Sequence, residues 1–478
     1  MDFSFLSAYR RKAFNRYNHL PYMAKNILSM GLRLIPQRLL FGSQFRGVFM
    51  MIKQTEFLSS DILKKKTQEN LTRILLHANK TTDYYNNLFQ KLGIGEKEIL
   101  KSPVHIISII PFINKSIIRD NYSLFLSKTN NATMCDYTST GGTSGEPFYF
   151  HINSDRSIKE LAYFVDQWER VGFNLNSKRV TFRGSPVSGK KGWENDWITK
   201  ERKFSSFELT DEYLERIWPD LCAYNPDFVY AYPSTAIALS KFIERSGLQL
   251  PGKVKAILIG SENIYDGQEN YIETITRRRV FKWYGHSEKL ILAGECEKRK
   301  YYHAYPQYGY VEFINEQGAL AKPGDFAEIV GTGFINTVLP FIRYRTGDYC
   351  TYLGDHCPEC GRNYPIFKDV RGRWTQEVLY GKRGNSICMS AINVHSDNFK
   401  NVFRFQFYQD TPGRAVLKIM PKKGFEKKDK RAIEKEFNYK FNGNVVVDAM
   451  IVNNIPLTSR GKYKFIDQNT STKLLSSP

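Results

Sequence analysis

Seven cysteines in 478 residues are too few and too scattered for a disulfide-held extracellular scaffold. No apolar run approaches the roughly 20 residues that a membrane-spanning helix needs; the nearest, Ile106 to Phe112, is short and contains Pro111. Arg10, Arg11 and Lys12 stand near the start, yet no apolar stretch or small-residue cleavage site follows them, so no secretory signal is expected. Acidic residues are scarce as well. Against 69 Lys and Arg there are 48 Asp and Glu, a net charge of +21, which favours polyanionic ligands such as nucleotide phosphates, nucleic acid or an anionic membrane face. An aromatic-basic RNA-recognition motif is missing, so nucleic acid is not the expected partner. Internal repeats and low-complexity tracts are missing too. These absences together point to the cytoplasm.

What is present suits a globular protein with one large and one smaller core: 42% of the residues are apolar and 24% charged. The 29 Tyr and 33 Phe are far too many for a solvated disordered chain and suit β-rich cores and flat pockets. Residues 1–100 are rich in helix formers and basic groups, with helical apolar spacing in Leu71-Thr-Arg-Ile-Leu-Leu-His-Ala78, and read as a helical lead-in packed on a larger domain. Tyr22 to Lys53 mixes apolar residues with Lys25, Arg33, Arg38 and Arg46. That pattern fits a helix on an anionic membrane surface and equally a helix packed on the protein body.

From about 130 to 350, β-prone runs (Arg179-Val-Thr-Phe182, Asp227 to Tyr232, Ala256 to Gly260, Arg279 to Tyr284) alternate with helical stretches such as Thr235 to Arg245, an α/β pattern. Beyond Arg373 the strands Phe403 to Tyr408, Ala415 to Met420 and Val445 to Val452, with a charged helix near Lys427 to Tyr439, predict a small α+β domain. The expected division is thus 1–100, a core over 101–372, and 373–478.

The strongest local signal is Thr138-Ser-Thr-Gly-Gly-Thr-Ser-Gly-Glu-Pro147. Glycines let backbone N–H groups converge on phosphate oxygens, and hydroxyls add donors without the desolvation cost of a full charge. The Gly-Lys-Ser/Thr ending of a Walker loop is absent. Taken alone, the stretch reads equally well as a flexible Ser/Gly loop. Four pieces follow it: Gly260-Ser-Glu262, Tyr284-Gly-His-Ser-Glu288, Tyr344-Arg-Thr-Gly-Asp348 and Pro456-Leu-Thr-Ser-Arg-Gly-Lys462. Read singly, Asp348 is as easily a turn residue after Gly347.

In this order the five pieces resemble the signature set of the adenylate-forming enzymes, over about Leu71 to Lys464. Thr82-Asp-Tyr-Tyr85 and the segment Cys296 to His303 resemble its phenylacetate-coenzyme A ligase branch, which includes relatives in capsular polysaccharide loci. The resemblance implies a large adenylation domain of mixed sheets and helices, with a smaller, mobile C-terminal domain. It implies ATP-dependent joining of AMP to a small carboxylic acid, with transfer to coenzyme A. Transfer to an amine or hydroxyl in cell-surface polysaccharide assembly, or nucleotidyl transfer alone, are the other outcomes.

The same resemblance implies the roles of individual residues. Thr138, Ser139, Thr140, Gly141, Gly142, Thr143, Ser144 and Gly145 would hold the β- and γ-phosphates, and Ser261 and Glu262 would belong to the nucleotide site. Tyr284 would stack on adenine within Tyr284, Gly285, His286 and Ser287, and Glu288 would hold magnesium. Asp348 would accept the ribose hydroxyls with Arg373 nearby, and Lys462 would meet the transferring phosphate. Two departures stand out. Glu146 occupies the place of a lysine that often precedes the loop proline, and no hinge acid follows in Gly372-Arg-Trp-Thr-Gln376.

Cys357 and Cys360 have the two-residue spacer that lets two thiolates reach one tetrahedral ion, and Cys296 with His303 forms a second pair. Some members of the branch pair these residues around a structural zinc. His356 or Cys350 could replace one ligand, and the plain alternative is unrelated free cysteines and a surface histidine.

Overall fold

The computed structural model describes residues 41–129, 135–140, 148–184, 187, 191–372, 377–388, 392, 396–456 and 464–470. The chain divides into two compact units. One is made of Met1–Thr138, Phe150–Leu175 and Lys282–Gly372, and the other of Ser139–Tyr149, Asn176–Phe281 and Arg373–Pro478.

In the first unit the lead-in is helical. The helix Ser60–Thr81 buries Leu63, Leu71, Ile74, Leu75 and Ala78, the helical spacing seen in the sequence, with Asp61 in its first turn and Lys80 in its last, as the macrodipole favours. Thr82 ends it and caps the next helix, Asp83–Lys91, by accepting from the Tyr85 N–H. The helix Gly42–Thr55 packs against Arg156–Glu169, burying Phe45 and Ile52, while Lys53 meets Asp166 at 2.6 Å and Glu169 at 2.9 Å. Of the segment Tyr22 to Lys53 only the residues from Phe41 onward are described; those before it lie outside the described set.

The sheet of this unit is antiparallel. Its order is Gly309–Ile314, Phe326–Gly333, Tyr344–Gly354, Ile366–Arg371, Tyr302–Ala304, Leu292–Glu295 and then the end of Arg279–Gly285. A Cβ at Gly309 would meet the Leu290 carbonyl oxygen at 1.9 Å, so only glycine lets the turn after Glu288 lie against this sheet.

The second unit holds a mostly parallel sheet ordered Ala256–Gly260, Phe228–Ala231, Arg179–Phe182, Glu201–Phe204 and Trp193–Asp196, with only the last strand antiparallel. All five residues of Ala256–Gly260 are buried, the continuous apolar run expected of a strand covered on both faces. The helices Asp211–Tyr224 and Pro233–Ser246 supply its core with Leu214, Ile217, Leu239 and Phe242. The C-terminal part of this unit has its own four-stranded sheet, ordered Val446–Ile451, Arg414–Pro421, Val402–Thr411 and Ile466–Gln468. The helix Lys427–Phe441 buries Ile433, Phe437 and Phe441 in the cluster that includes Phe405, Phe407 and Leu417. These are the strand and helix types expected beyond Arg373, here grouped in one compact unit with Ser139–Tyr149 and Asn176–Phe281. Among the described residues no helix is long and apolar enough to cross a membrane.

Candidate functional site

The strand Arg279–Gly285 carries Tyr284 to its end, and a tight turn follows in which the Lys289 N–H donates to the His286 carbonyl at 3.2 Å. On Tyr344–Gly354, Gly347 has φ +70, and its N–H donates to Glu328 Oε1 at 3.1 Å. The next N–H, that of Asp348, donates to Thr346 Oγ1 at 3.1 Å, and the Thr346 hydroxyl donates to the Ile329 carbonyl at 2.6 Å. The left-handed residue explains the glycine of Tyr-Arg-Thr-Gly-Asp: it turns the backbone so that Asp348 is held by its neighbours.

These two segments meet. The Tyr284 hydroxyl donates to Asp348 Oδ2 at 3.0 Å, and the Tyr344 hydroxyl donates to Glu288 Oε1 at 3.1 Å. Tyr284 and Glu288 are 9% and 8% exposed, so both bonds lie in a desolvated setting where they are worth more than at a surface. Burial pushes the Glu288 carboxyl up, but His286, Lys115 and the Tyr344 hydroxyl more than offset it, and Glu288 sits below the usual carboxylate range. Burial also holds His286 below its ordinary range, against the pull of Glu288 and Asp348, so the charges of His286 and Glu288 are coupled. Glu288 is therefore a buried anion ready for a cation.

Ser261 and Glu262 follow the strand Ala256–Gly260 in the second unit. Ser261 has φ +70 and accepts from Arg183 Nη2 at 2.8 Å. Glu262 accepts from the Ser234 N–H at 2.9 Å and from the Ser234 hydroxyl at 3.2 Å, and so caps the helix Pro233–Ser246. Thr138, Ser139 and Thr140 lie on the strand Cys135–Thr140, which pairs with Phe148–Asn153; Ser139 is buried. Gly141, Gly142, Thr143, Ser144, Gly145, Arg373 and Lys462 lie outside the described residues.

Sequence reasoning passed over Tyr344, Lys115 and Arg183. Tyr344 opens a motif that had been singled out and was a legible candidate. Lys115 is near Glu288 only through tertiary structure, and nothing in its local sequence marks it. Arg183 lies over the rings of Tyr230 and Tyr232, 4.4 and 4.3 Å from their centroids, at the C-terminal ends of Arg179–Phe182 and Phe228–Ala231.

A second cluster brings Cys296, His303, Cys357 and Cys360 together, with one ligand atom of each lying within 4.8 Å of all the others. Strand pairing does this: Tyr302–Ala304 lies between Leu292–Glu295 and Ile366–Arg371, with Tyr302 opposite Glu295 and His303 opposite Ile366. The Lys298 N–H points at Cys296 Sγ and the Cys360 N–H at Cys357 Sγ, each at 3.4 Å, which favours thiolate sulfur. Cys360 is pulled well below the usual thiol range, first by the Cys296 thiol, against burial, and with help from His303, while Cys296 is pushed up. Three thiols and one imidazole around a common centre match the donor set and closeness of a tetrahedral zinc site. His356 pairs instead with Asn363 at 2.8 Å, and Cys350 is not among the four. Beside the cluster, Arg362 binds Glu297 at 2.8 and 2.7 Å and Glu56 at 2.8 and 2.6 Å, tying the turn that follows the thiols to the end of the helix Gly42–Thr55.

The family model of the CapK C-terminal domain matches residues 379–469. Protein CapK of Staphylococcus aureus is 22% identical over 474 residues, covering 95% of this chain and 98% of that protein. The phenylacetate-coenzyme A ligase of Thermus thermophilus is 20% identical over 336 residues, 68% of this chain and 73% of that enzyme. Among solved structures, 2-hydroxyisobutyryl-CoA ligase in the postadenylation state superposes with a TM-score of 0.54 at 15% identity, over 86% of this chain and 90% of that one. The same ligase with CoA in the thioesterification state also gives a TM-score of 0.54, at 16% identity, over 86% of this chain and 91% of that one.

Proposed function

We propose that this chain, a member of the phenylacetate-coenzyme A ligase and CapK branch of the adenylate-forming superfamily, activates a small carboxylic acid with ATP and passes the acyl group to coenzyme A. A carboxylate oxygen attacks the α-phosphorus, the bond to the bridging oxygen breaks, and pyrophosphate leaves. The sulfur of the coenzyme then attacks the acyl carbon, and AMP leaves with the electron pair. Two anions must meet in the first step, so positive charge and oriented donors must offset their repulsion.

The observation that supports this reading best is the bond between Tyr284 and Asp348, which joins two motifs 64 residues apart. It pre-aims the Asp348 carboxylate, with which a ribose hydroxyl would pair. Glu288, held anionic and pinned by Tyr344, would take the magnesium ion, whose charge eases the departure of pyrophosphate. The loop from Thr138 to Gly145 would cradle the outer phosphates, Ser261 and Glu262 would border the nucleotide, and Lys462 would reach the transferring phosphate. Cys296, His303, Cys357 and Cys360 would hold zinc in a structural role, since none of the four lies in a nucleotide motif. An amine or hydroxyl acceptor in cell-surface polysaccharide assembly is the second reading, which rests on the resemblance of Thr82-Asp-Tyr-Tyr85 and Cys296 to His303 to the branch with relatives in capsular polysaccharide loci.

Exchange of labelled pyrophosphate into ATP, driven by a panel of aryl, alkyl and hydroxy acids, tests the first step. Exchange with at least one acid is expected, and metal-replete protein that supports none would overturn the reading. Release of AMP that requires coenzyme A would separate the two acceptors.

A further inference from the structure

A cavity of the second unit belongs to none of the motifs above. Its volume is about 490 Å³, the size of a small-ligand site. The helix Asp211–Tyr224 and the residues just before it supply Glu208, Thr210, Glu212, Tyr213 and Arg216. The turn between the paired strands Val378–Tyr380 and Ser386–Cys388 adds Lys382 and Arg383, and the segment after the helix Lys427–Phe441 adds Asn442 to Asn444.

The fold fixes these walls against one another. The side-chain amides of Asn385 and Asn444 both donate to the Phe207 carbonyl, the first at 2.8 Å, and the Phe207 ring meets Phe441 edge to face with centroids 5.7 Å apart. The Lys382 N–H donates to the Asn444 carbonyl at 3.0 Å. Its stem lies so close to Gly413 that a Cβ there would come within 2.3 Å of Lys382 Cγ.

The charges in the lining do not cancel. Lys382 and Arg383 are exposed, and among the described residues neither makes an ion pair. Arg216 stands 4.0 Å from Glu208 Oε2, too far for a hydrogen bond, with 56% of its side chain exposed. Glu208 Oε1 accepts from Asn442 Nδ2 at 3.0 Å. The Thr210 hydroxyl and, to a lesser degree, Arg383 hold Glu212 below its ordinary range. Three cations therefore face two carboxylates that neutral donors already serve.

Such a lining selects among ligands. Guanidinium and ammonium groups bind phosphate or carboxylate oxygens, and carboxylates and amides pair with hydroxyls. A bare inorganic anion would satisfy the cations and leave Glu208 and Glu212 opposed to it. A nucleotide would bring a base, but the ring in the lining, Tyr213, is 2% exposed and has Arg216 at 5.4 Å from its centroid, so no face is open for stacking. A ligand with one anionic group and several hydroxyls serves every group present.

We propose that this cavity binds a sugar phosphate or sugar acid, with the anionic group on Arg216, Lys382 and Arg383 and the hydroxyls on Glu208, Glu212 and Asn442.

Isothermal titration of the full chain tests this, with the 1-phosphates of glucose, galactose and mannose, the matching hexuronates, the free hexoses and inorganic phosphate. At least one sugar phosphate or hexuronate should bind with a Kd of about 1 mM or tighter, at least about tenfold more tightly than its free hexose or phosphate. The tighter class identifies the anionic group. K382A/R383A should weaken that binding at least about tenfold, and R216A, on a different element, gives the same reading should the double variant fold poorly. E208A should bring the sugar ligand towards the affinity of phosphate alone, and saturating ATP should change nothing. Binding that ATP displaces, or that survives both cation variants, belongs to another site and overturns the inference. Phosphate binding as tightly as every sugar ligand would make the cavity a general anion patch and overturn it as well, as would no binding by any of the panel. Binding is read without turnover, so failure here leaves adenylation untouched, and failure of adenylation leaves this result standing.

Discussion

The two polar clusters of the first unit are built from the same kind of material and differ in where their side chains point. Around Tyr284, Glu288 and Asp348, each carboxylate is met by a tyrosine hydroxyl of the protein, and one imidazole is left over. Around Cys296, Cys357 and Cys360, three thiols and His303 point at one another, and His303 Nδ1 has no partner either. Mutually facing donors of this kind are the set a cation would complete, whereas each carboxylate already has a hydrogen-bond partner within the protein. If zinc fills the thiol cluster, as proposed above, the ion would contribute to folding there, while the carboxylates would be held in place before any ligand arrives.

The largest expected effect tests the waiting part. E288A should slow acyl-adenylate formation by about a thousandfold, equally for every acid, because it removes the anion that would position magnesium. Its melting temperature should stay close to the wild type's. Loss of folding alongside loss of rate would place Glu288 with the thiols as a structural group.

K462A comes next. Formation of the adenylate should fall by at least about a hundredfold, the scale of one well-placed electrostatic donor, while consumption of a synthetic acyl-adenylate falls far less. Rapid-quench assays of the two half-reactions read this directly. An equal loss in both steps would indicate a structural defect.

The converse test falls on the thiols. Metal analysis of protein purified without chelator should give about one zinc per chain, and C357S should lose it and melt at least about 5 °C lower. At a temperature where that variant remains folded, pyrophosphate exchange should persist. A zinc content far below one, or an unchanged melting temperature, would reduce the cluster to free cysteines.

The smallest effect concerns a carboxyl outside both clusters. Burial pushes Glu312 up to about 7 despite the Arg343 guanidinium beside it. Its folded pKa lies above its unfolded value, so its contribution to stability is complete below about pH 4 and is lost as the pH rises through about 7. Urea titrations should show stability falling by roughly 1–3 kcal/mol between pH 5 and 8, with E312Q flattening that slope. A slope that survives in E312Q would assign it to other groups.

Much of the fold was legible because local pattern and burial agree. Ala256-Ile-Leu-Ile-Gly260 is a fully buried parallel strand, Thr235 to Arg245 lies within the helix Pro233–Ser246, and the strands beyond residue 400 fall within a few residues of where alternation placed them. Tyr344 and Lys115 escaped for different reasons. Tyrosine is among the commonest residues here and its hydroxyl needs a partner wherever it is buried, so its type says little. Lys115 follows Asn114, whose side chain caps a short helix, and locally it reads as no more than a first-turn residue.

By itself the sequence determined the series of motifs and the element types, because both are written in short-range terms: turn glycines, apolar periodicity, a spacer between two thiols. Tertiary structure alone decided which groups meet. Tyr284 finds Asp348 across 64 residues, and Tyr344 finds Glu288 across 56, only because of how the chain's strands pair and turn. A shift of one residue in such pairing sends every side chain to the other face of the sheet, so contacts of this kind depend on register and not on residue type.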